Sequence, residues 1–217
     1  MEFLIVLPIL LFSVVLHEVA HAQVAMWEGD DTAYRLGRVT LNPLPHLDLM
    51  GSLIVPLALY LLPGNFLFGW AKPVPVNPGN FRDYKWGDIR VSLAGIAANL
   101  FLAVVLTLLT AVLFKVNLLW GGMGGVIPVL VQGTYLGVYL NLILAFFNLI
   151  PIPPLDGSHV VFHLLPPDLA VRYRAAGRYG IGILMLLLFL FPRAFSLLLW
   201  PVEYLMSWVE VLLRLWV

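Results

Sequence analysis

The sequence predicts an all-α polytopic membrane protein, a bundle of about five to six hydrophobic segments. Two observations carry this. Of 217 residues, 61% are hydrophobic and only 11% charged, with a mean hydropathy of +0.95. A soluble domain is nearer half apolar and a quarter charged. The apolar residues also fall into long runs, several of which reach the roughly 20 residues that a helix needs to cross a bilayer.

The first run is Phe3 to Trp27. Ala20-His21-Ala22 resembles a signal-cleavage site, but the basic n-region is missing, so a retained first span is expected. The second run, Leu49 to Trp70, is interrupted by Pro56, Pro63 and Gly64. The third, Val91 to Phe114, carries no charge, nor does the fourth, Val126 to Leu155, which ends in the proline-rich NLIPIPPLDG. The fifth, Tyr179 to Pro192, is short. A last stretch, Ala194 to Val217, holds Glu203, Glu210 and Arg214 and suits a tilted span or an interfacial helix. No repeat and no linker divides the chain, so residues 1–217 read as one domain, with a core over 1–165 and C-terminal helices over 170–217.

Basic residues orient the bundle. Arg35 and Arg38 follow the first run, Lys72, Arg82, Lys85 and Arg90 precede the third, and Arg172, Arg174 and Arg178 precede the fifth. The positive-inside rule makes these connections cytoplasmic and puts the N-terminus outside. The second run then has cytoplasmic flanks on both sides. It is expected to re-enter rather than cross, which at membrane depth requires burial in protein; a true span is the other reading. Two stretches have strand character, Tyr34 to Asn42 and Lys72 to Pro78, and would form a small β-hairpin near the cytoplasmic face. In the second, Lys72, Pro73, Val74, Pro75, Val76 and Asn77 fit an edge strand that could hold an unwound substrate by strand addition; a plain connecting hairpin fits equally. Net charge is zero, which leaves no basic field for nucleic acid, and without cysteine there is no disulfide or thiolate metal site.

The chemistry lies in the first run. His17-Glu18-Val19-Ala20-His21 is H-E-x-x-H. On a helix both imidazoles share one face and reach one ion, while Glu18 sits beside it as a base. Ionisable groups at membrane depth are costly and functional by default. Catalytic zinc needs a third ligand. No charged residue lies between Val116 and Leu155, and then comes Asp156 at the cytoplasmic end of the fourth run, which the topology puts near the same face as the histidine pair of the first. Asp156 is the expected third ligand. A turn or N-cap aspartate is its bland role, and His46, His159 and His163 are the competing ligands.

LHEVAH in the first run and NLIPIPPLDG at the end of a later one together resemble the site-2 protease family of intramembrane zinc metalloproteases. SLAGIAANLFLA, Ser92 to Ala103, is similar to the family's A-G-P-x-x-N span, with Asn99 in place and Ile96 where the pattern has proline. LNPLPHLD and GWAKPVPVNPGNFRD resemble the short bacterial and archaeal members, and no inserted PDZ or CBS domain is read. The resemblance implies that His17, His21 and Asp156 bind zinc, that Glu18 is general base and then acid, and that Asn148 hydrogen-bonds the substrate carbonyl or oxyanion. It implies a multi-pass enzyme of a prokaryotic cell membrane, its active site toward the cytoplasm, cutting transmembrane segments of other proteins. The alternative class is a polytopic protein that binds or transports metal without proteolysis; it would need the ligands but not Glu18. Oligomeric state is not legible.

Overall fold

The computed structural model describes residues 2–55, 57, 71–119 and 125–216. Most of the second hydrophobic run, with its expected re-entry, lies outside them.

The described residues are helical and contain no strand. Helix α1 is Glu2–Glu28, with Pro8 inside it. Helix α2 is the single turn Thr32–Arg35. Short 3-10 turns at Leu44–His46 and Pro78–Asn80 flank a π-helical turn at Leu49–Ile54. Helix α3 is Tyr84–Leu119 and α4 is Val126–Asn148. Then come α5, Gly157–Leu164, α6, Pro167–Ala176, α7, Gly180–Leu190, α8, Pro192–Leu198, and α9, Trp200–Leu215.

Three of these, in α1, α3 and α4, are long and apolar enough to cross a membrane. Phe101, Val104 and Leu108 of α3 stand more than half exposed, as lipid-facing side chains do. Helix α3 starts seven residues before the apolar run, because Tyr84 to Arg90 carries charges that hydropathy rejects. Asp83 starts it by accepting the Trp86 N–H at 3.0 Å. The apolar C-terminal third is cut into short helices where prolines stand. Pro192 opens α8 and Pro201 lies in the first turn of α9, the positions at which a missing N–H costs nothing.

The chain divides into two compact units, Leu10–Gly95 and Met1–Ile9 with Ile96–Val217. In the larger, the core joins Ala103 of α3, Val138 and Leu142 of α4, and Val202, Met206 and Val209 of α9. Gly133 and Gly137 let α4 approach Ile5 and Ile9: a Cβ at Gly137 would lie 2.8 Å from Leu106 and 3.3 Å from Ile9. Small residues at such spacing are how membrane helices close in. Two fully buried amides bond across helices, Asn99 Nδ2 donating to Asn141 Oδ1 at 2.9 Å, while Asn141 Nδ2 donates to the Gly137 carbonyl at 2.8 Å.

The smaller unit turns at Gly29. Its φ of +115° is open to glycine, and two bonds close the end of α1: Gly29 N–H to Met26 O at 3.2 Å and Asp30 N–H to Ala25 O at 2.9 Å. The same closure comes after α2, through Gly37 and Arg38. That is why Tyr34 to Asn42 does not form the expected strand: Asp31 and Arg35 pair one turn apart and the backbone closes on itself first. Lys72 to Asn77 pairs with no strand among the described residues either. Its prolines supply no N–H, the Lys72 N–H goes to the His46 carbonyl, and Arg38, Glu18 and Asp30 take the Lys72 and Pro73 carbonyls and the Val74 and Asn77 N–H groups.

Asn141→Ala should remove an interhelical bond and leave Asn99 to re-pair. Membrane hydrogen bonds of this kind contribute about 0.6 kcal/mol on average and up to about 1.7, so a loss near 1 kcal/mol is expected in reversible unfolding from mixed micelles. An unchanged unfolding midpoint would show that the amide pair adds nothing.

Candidate metal centre

A buried stripe with three polar side chains runs along α1 within the smaller unit. Ser13, His17, His21 and Ala25 stand at four-residue spacing and are 0, 6, 8 and 0% exposed. The repeat keeps them on one face. His21 Nδ1–H donates to the Val91 carbonyl of α3 at 2.6 Å. That bond fixes the tautomer, so Nε2 carries the lone pair. His21 Nε2 lies 3.0 Å from His17 Nε2, with the rings edge to face at 87°. Both imidazoles therefore aim at one point. Two nitrogens on a tetrahedral zinc with bonds of ~2.0–2.1 Å stand roughly 3.3 Å apart, so little adjustment separates this pair from a ligand pair. Gly95 makes room for it. A Cβ there would lie 2.5 Å from both His17 Cε1 and His21 Nε2.

Glu18 is half-buried and its Oε2 accepts the Val74 N–H at 2.7 Å. The base candidate is thus tied to the segment read as a substrate strand. Buried charges hold that segment in turn. Arg38, 8% exposed, donates from Nη2 to Lys72 O at 2.8 Å and to Pro73 O at 3.3 Å. Asp30, 1% exposed, accepts from Asn77 N–H at 2.7 Å and Asn80 Nδ2 at 2.8 Å, and from the Thr32 hydroxyl and N–H. Burial pushes the Asp30 carboxyl up, but the bonds from Asn77, Thr32 and Asn80 outweigh it and hold it below its ordinary value. A bidentate pair between Arg90 and Glu28, at 2.6 and 2.8 Å, ties α3 to the end of α1.

The larger unit carries the other candidates. Asp156 immediately precedes α5, in the N-cap position, yet its side chain makes no cap bond. The helix-starting role is therefore not the one its carboxylate fills. Asn148 ends α4 and donates one amide hydrogen to Leu144 O at 2.9 Å; the second hydrogen of the amide remains for another acceptor. Among the competing ligands, His46 has a structural task. It is 1% exposed, its ring bonds the Thr40 carbonyl at 3.0 Å and its own carbonyl accepts Lys72 N–H at 2.9 Å. His159 and His163 stand on α5, the latter against the Phe162 ring.

The sequence does not mark Asp30 or Gly95, and it marks Arg38 only as an orienting charge. A charge directly after a helix-ending glycine was the available signal for Asp30. Gly95 lies inside the SLAGIAAN stretch, as a small residue whose use shows only in three dimensions.

The model of peptidase family M50 matches residues 123–190. The chain is 39% identical over 194 residues to the Bacillus subtilis protein named "Putative zinc metalloprotease YwhC", covering 88% of this chain and 82% of that one. It is 33% identical to "Putative zinc metalloprotease Rip2" of Mycolicibacterium smegmatis, over 86% of this chain and 67% of the relative. The Mycobacterium tuberculosis protein of the same name is 31% identical, over 88% and 68%. No solved structure matches.

Gly95→Ala should push the two imidazoles apart and weaken divalent-metal binding at least tenfold, measured by chelator competition; unchanged affinity would mean that the rings have slack. A second expectation concerns acid. The lowered Asp30 carboxyl gives its stabilisation in full above the ordinary carboxylate range, about pH 4, and loses it as pH falls through the lowered value. Amide protection at residues 77–80 should fall below about pH 4. In Asp30→Asn it should already be low at pH 7 and vary little with acid.

Proposed function

Because this chain belongs to peptidase family M50, the site-2 protease family, and is a zinc metalloprotease, we propose that it hydrolyses peptide bonds in or near transmembrane segments of other membrane proteins. His17, His21 and Asp156 hold the zinc. The donor chemistry supports this set: two buried imidazoles and a half-buried carboxylate are residue types that catalytic zinc takes as ligands. Zinc, when bound, supplies Lewis-acid polarisation of a carbonyl and lowers the pKa of a coordinated water.

The chain's own residues do the rest. Glu18 takes a proton from the attacking water as its oxygen bonds the scissile carbon, and returns it to the leaving nitrogen as the C–N bond breaks. Asn148 donates its remaining amide hydrogen to the oxyanion. Lys72, Pro73, Val74, Pro75, Val76 and Asn77 bind the unwound substrate by strand addition, forming a hairpin edge once the substrate is in place. The observation that carries this reading is the Val74 N–H bond to Glu18. It links the base to the segment that would hold the substrate, so register along that segment sets which peptide bond meets the base.

The finer topology belongs to the same proposal: a multi-pass bundle of about five to six segments in a prokaryotic cell membrane, N-terminus outside, active site toward the cytoplasm. The basic connections after α1 and before α3 and α7 support it.

Glu18→Gln keeps the side chain's size and removes the base. Zinc should stay bound while cleavage of a reconstituted transmembrane substrate is lost. Asn148→Ala should keep zinc and slow cleavage by about 10²–10³. A Glu18→Gln protein that cleaves near the wild-type rate would end the mechanism.

A further inference from the structure

We propose that α6 and α7 act as a splint for the Asp156 loop, with Tyr173, Gly180 and Leu184 as positioning residues for the metal ligand. The inference rests on the reading of Asp156 as that ligand. The loop from Leu149 to Asp156 has little backbone bonding with which to hold itself. Pro151, Pro153 and Pro154 bring no N–H, and its internal bonds are short-range, as from Ile152 N–H to Ile150 O at 2.8 Å and Leu155 N–H to Ile152 O at 3.0 Å.

Support arrives from the C-terminal helices instead. Tyr173 of α6 donates its hydroxyl to Pro151 O at 2.9 Å. Burial pushes this phenol up, which keeps its proton in place for donation. Between the helices, a Cβ at Gly177 would lie 3.0 Å from the Pro153 ring. At the first residue of α7, a Cβ on Gly180 would overlap the Pro153 carbonyl oxygen. One turn on, Leu184 packs against Ile150 and Leu155, the three being 8, 5 and 9% exposed. These contacts fall on Ile150, Pro151, Pro153 and Leu155, the last of them next to Asp156 in the chain. Backbone meets backbone at Gly180, so no side-chain rotation can absorb an added methyl group. The loop must shift, and metal–ligand distances tolerate only about 0.2 Å. Gly182, on the same helix, faces open space and provides a matched control for helix propensity.

The test is the zinc dissociation constant of the purified full chain, by chelator competition, for Gly180→Ala, Tyr173→Phe and Gly182→Ala, each with and without Asp156→Ala. Helical circular dichroism and gel filtration monitor the fold. Gly180→Ala should weaken zinc binding by about 10–100-fold, the usual cost of losing a residue that orients a ligand. Tyr173→Phe should weaken it about threefold to tenfold, and Gly182→Ala by less than about twofold. With Asp156→Ala present, both losses should shrink to less than about twofold, since the ligand they position is gone. Equal losses in both backgrounds would mean general loosening and overturn the splint, as would full affinity in Gly180→Ala. If Gly180→Ala does not fold, the Tyr173→Phe cycle decides alone. Asp156→Ala binding zinc as tightly as wild type would strike the ligand assignment itself, a result distinguishable from failure of the splint.

Discussion

One hydrogen bond ties the chemistry to the fold: His21 Nδ1–H to the Val91 carbonyl, at 2.6 Å. It chooses the tautomer, turns Nε2 toward His17, and does so from the backbone of another helix. For Val91 to be there, α3 must run close beside α1, and Gly95 lets it. The ladder continues outward. The Arg90–Glu28 pair and the Gly29 turn end α1 where α3 begins, and Asp30 then reaches the chain that carries Val74. Burial makes such a ladder necessary. At membrane depth a polar group without a protein partner is costly, so each functional side chain requires a second group to hold it.

Much of the fold was readable because lipid imposes a coarse code. Long apolar runs gave α1, α3 and α4, and Pro192 marked the end of the fifth run, but the stretch from Ala194 to Val217, read as one segment, is divided between α8 and α9. The start of α3 was not readable from hydropathy, since Tyr84 to Arg90 is charged and is helical because Asp83 caps it. The strands expected at Tyr34 to Asn42 and Lys72 to Pro78 failed for different reasons. Local closure at Gly37 pre-empted the first. In the second, alternating Val and Pro does describe a chain unable to join a helix, yet Arg38, Glu18 and Asp30 satisfy it in place of a neighbouring strand.

The candidate site was legible to the extent that spacing encodes it. His17 and His21 fall on one helix face whatever the rest of the chain does, and Glu18 is identified by its place between them. Arg38 was illegible as a support because its partners are backbone carbonyls 34 and 35 residues away, and Asp30 because its distant partners are the Asn77 N–H and the Asn80 amide, contacts that leave no mark on sequence. Asp156 showed as an isolated charge, but the groups that brace its loop lie in a C-terminal third without motif. There the informative features are the absent side chains at Gly177 and Gly180.

Gly95 carries a consequence of the same kind for homologous chains. The methyl group it lacks would lie 2.5 Å from His17 Cε1 and His21 Nε2, so the site depends on an atom that is not there. A homologous chain could keep H-E-x-x-H, the distant aspartate and the asparagine, and so match every signature, yet have its two imidazoles forced apart by alanine at this one position. Comparing such chains then means inspecting the helix that faces the histidines as well as the histidines themselves.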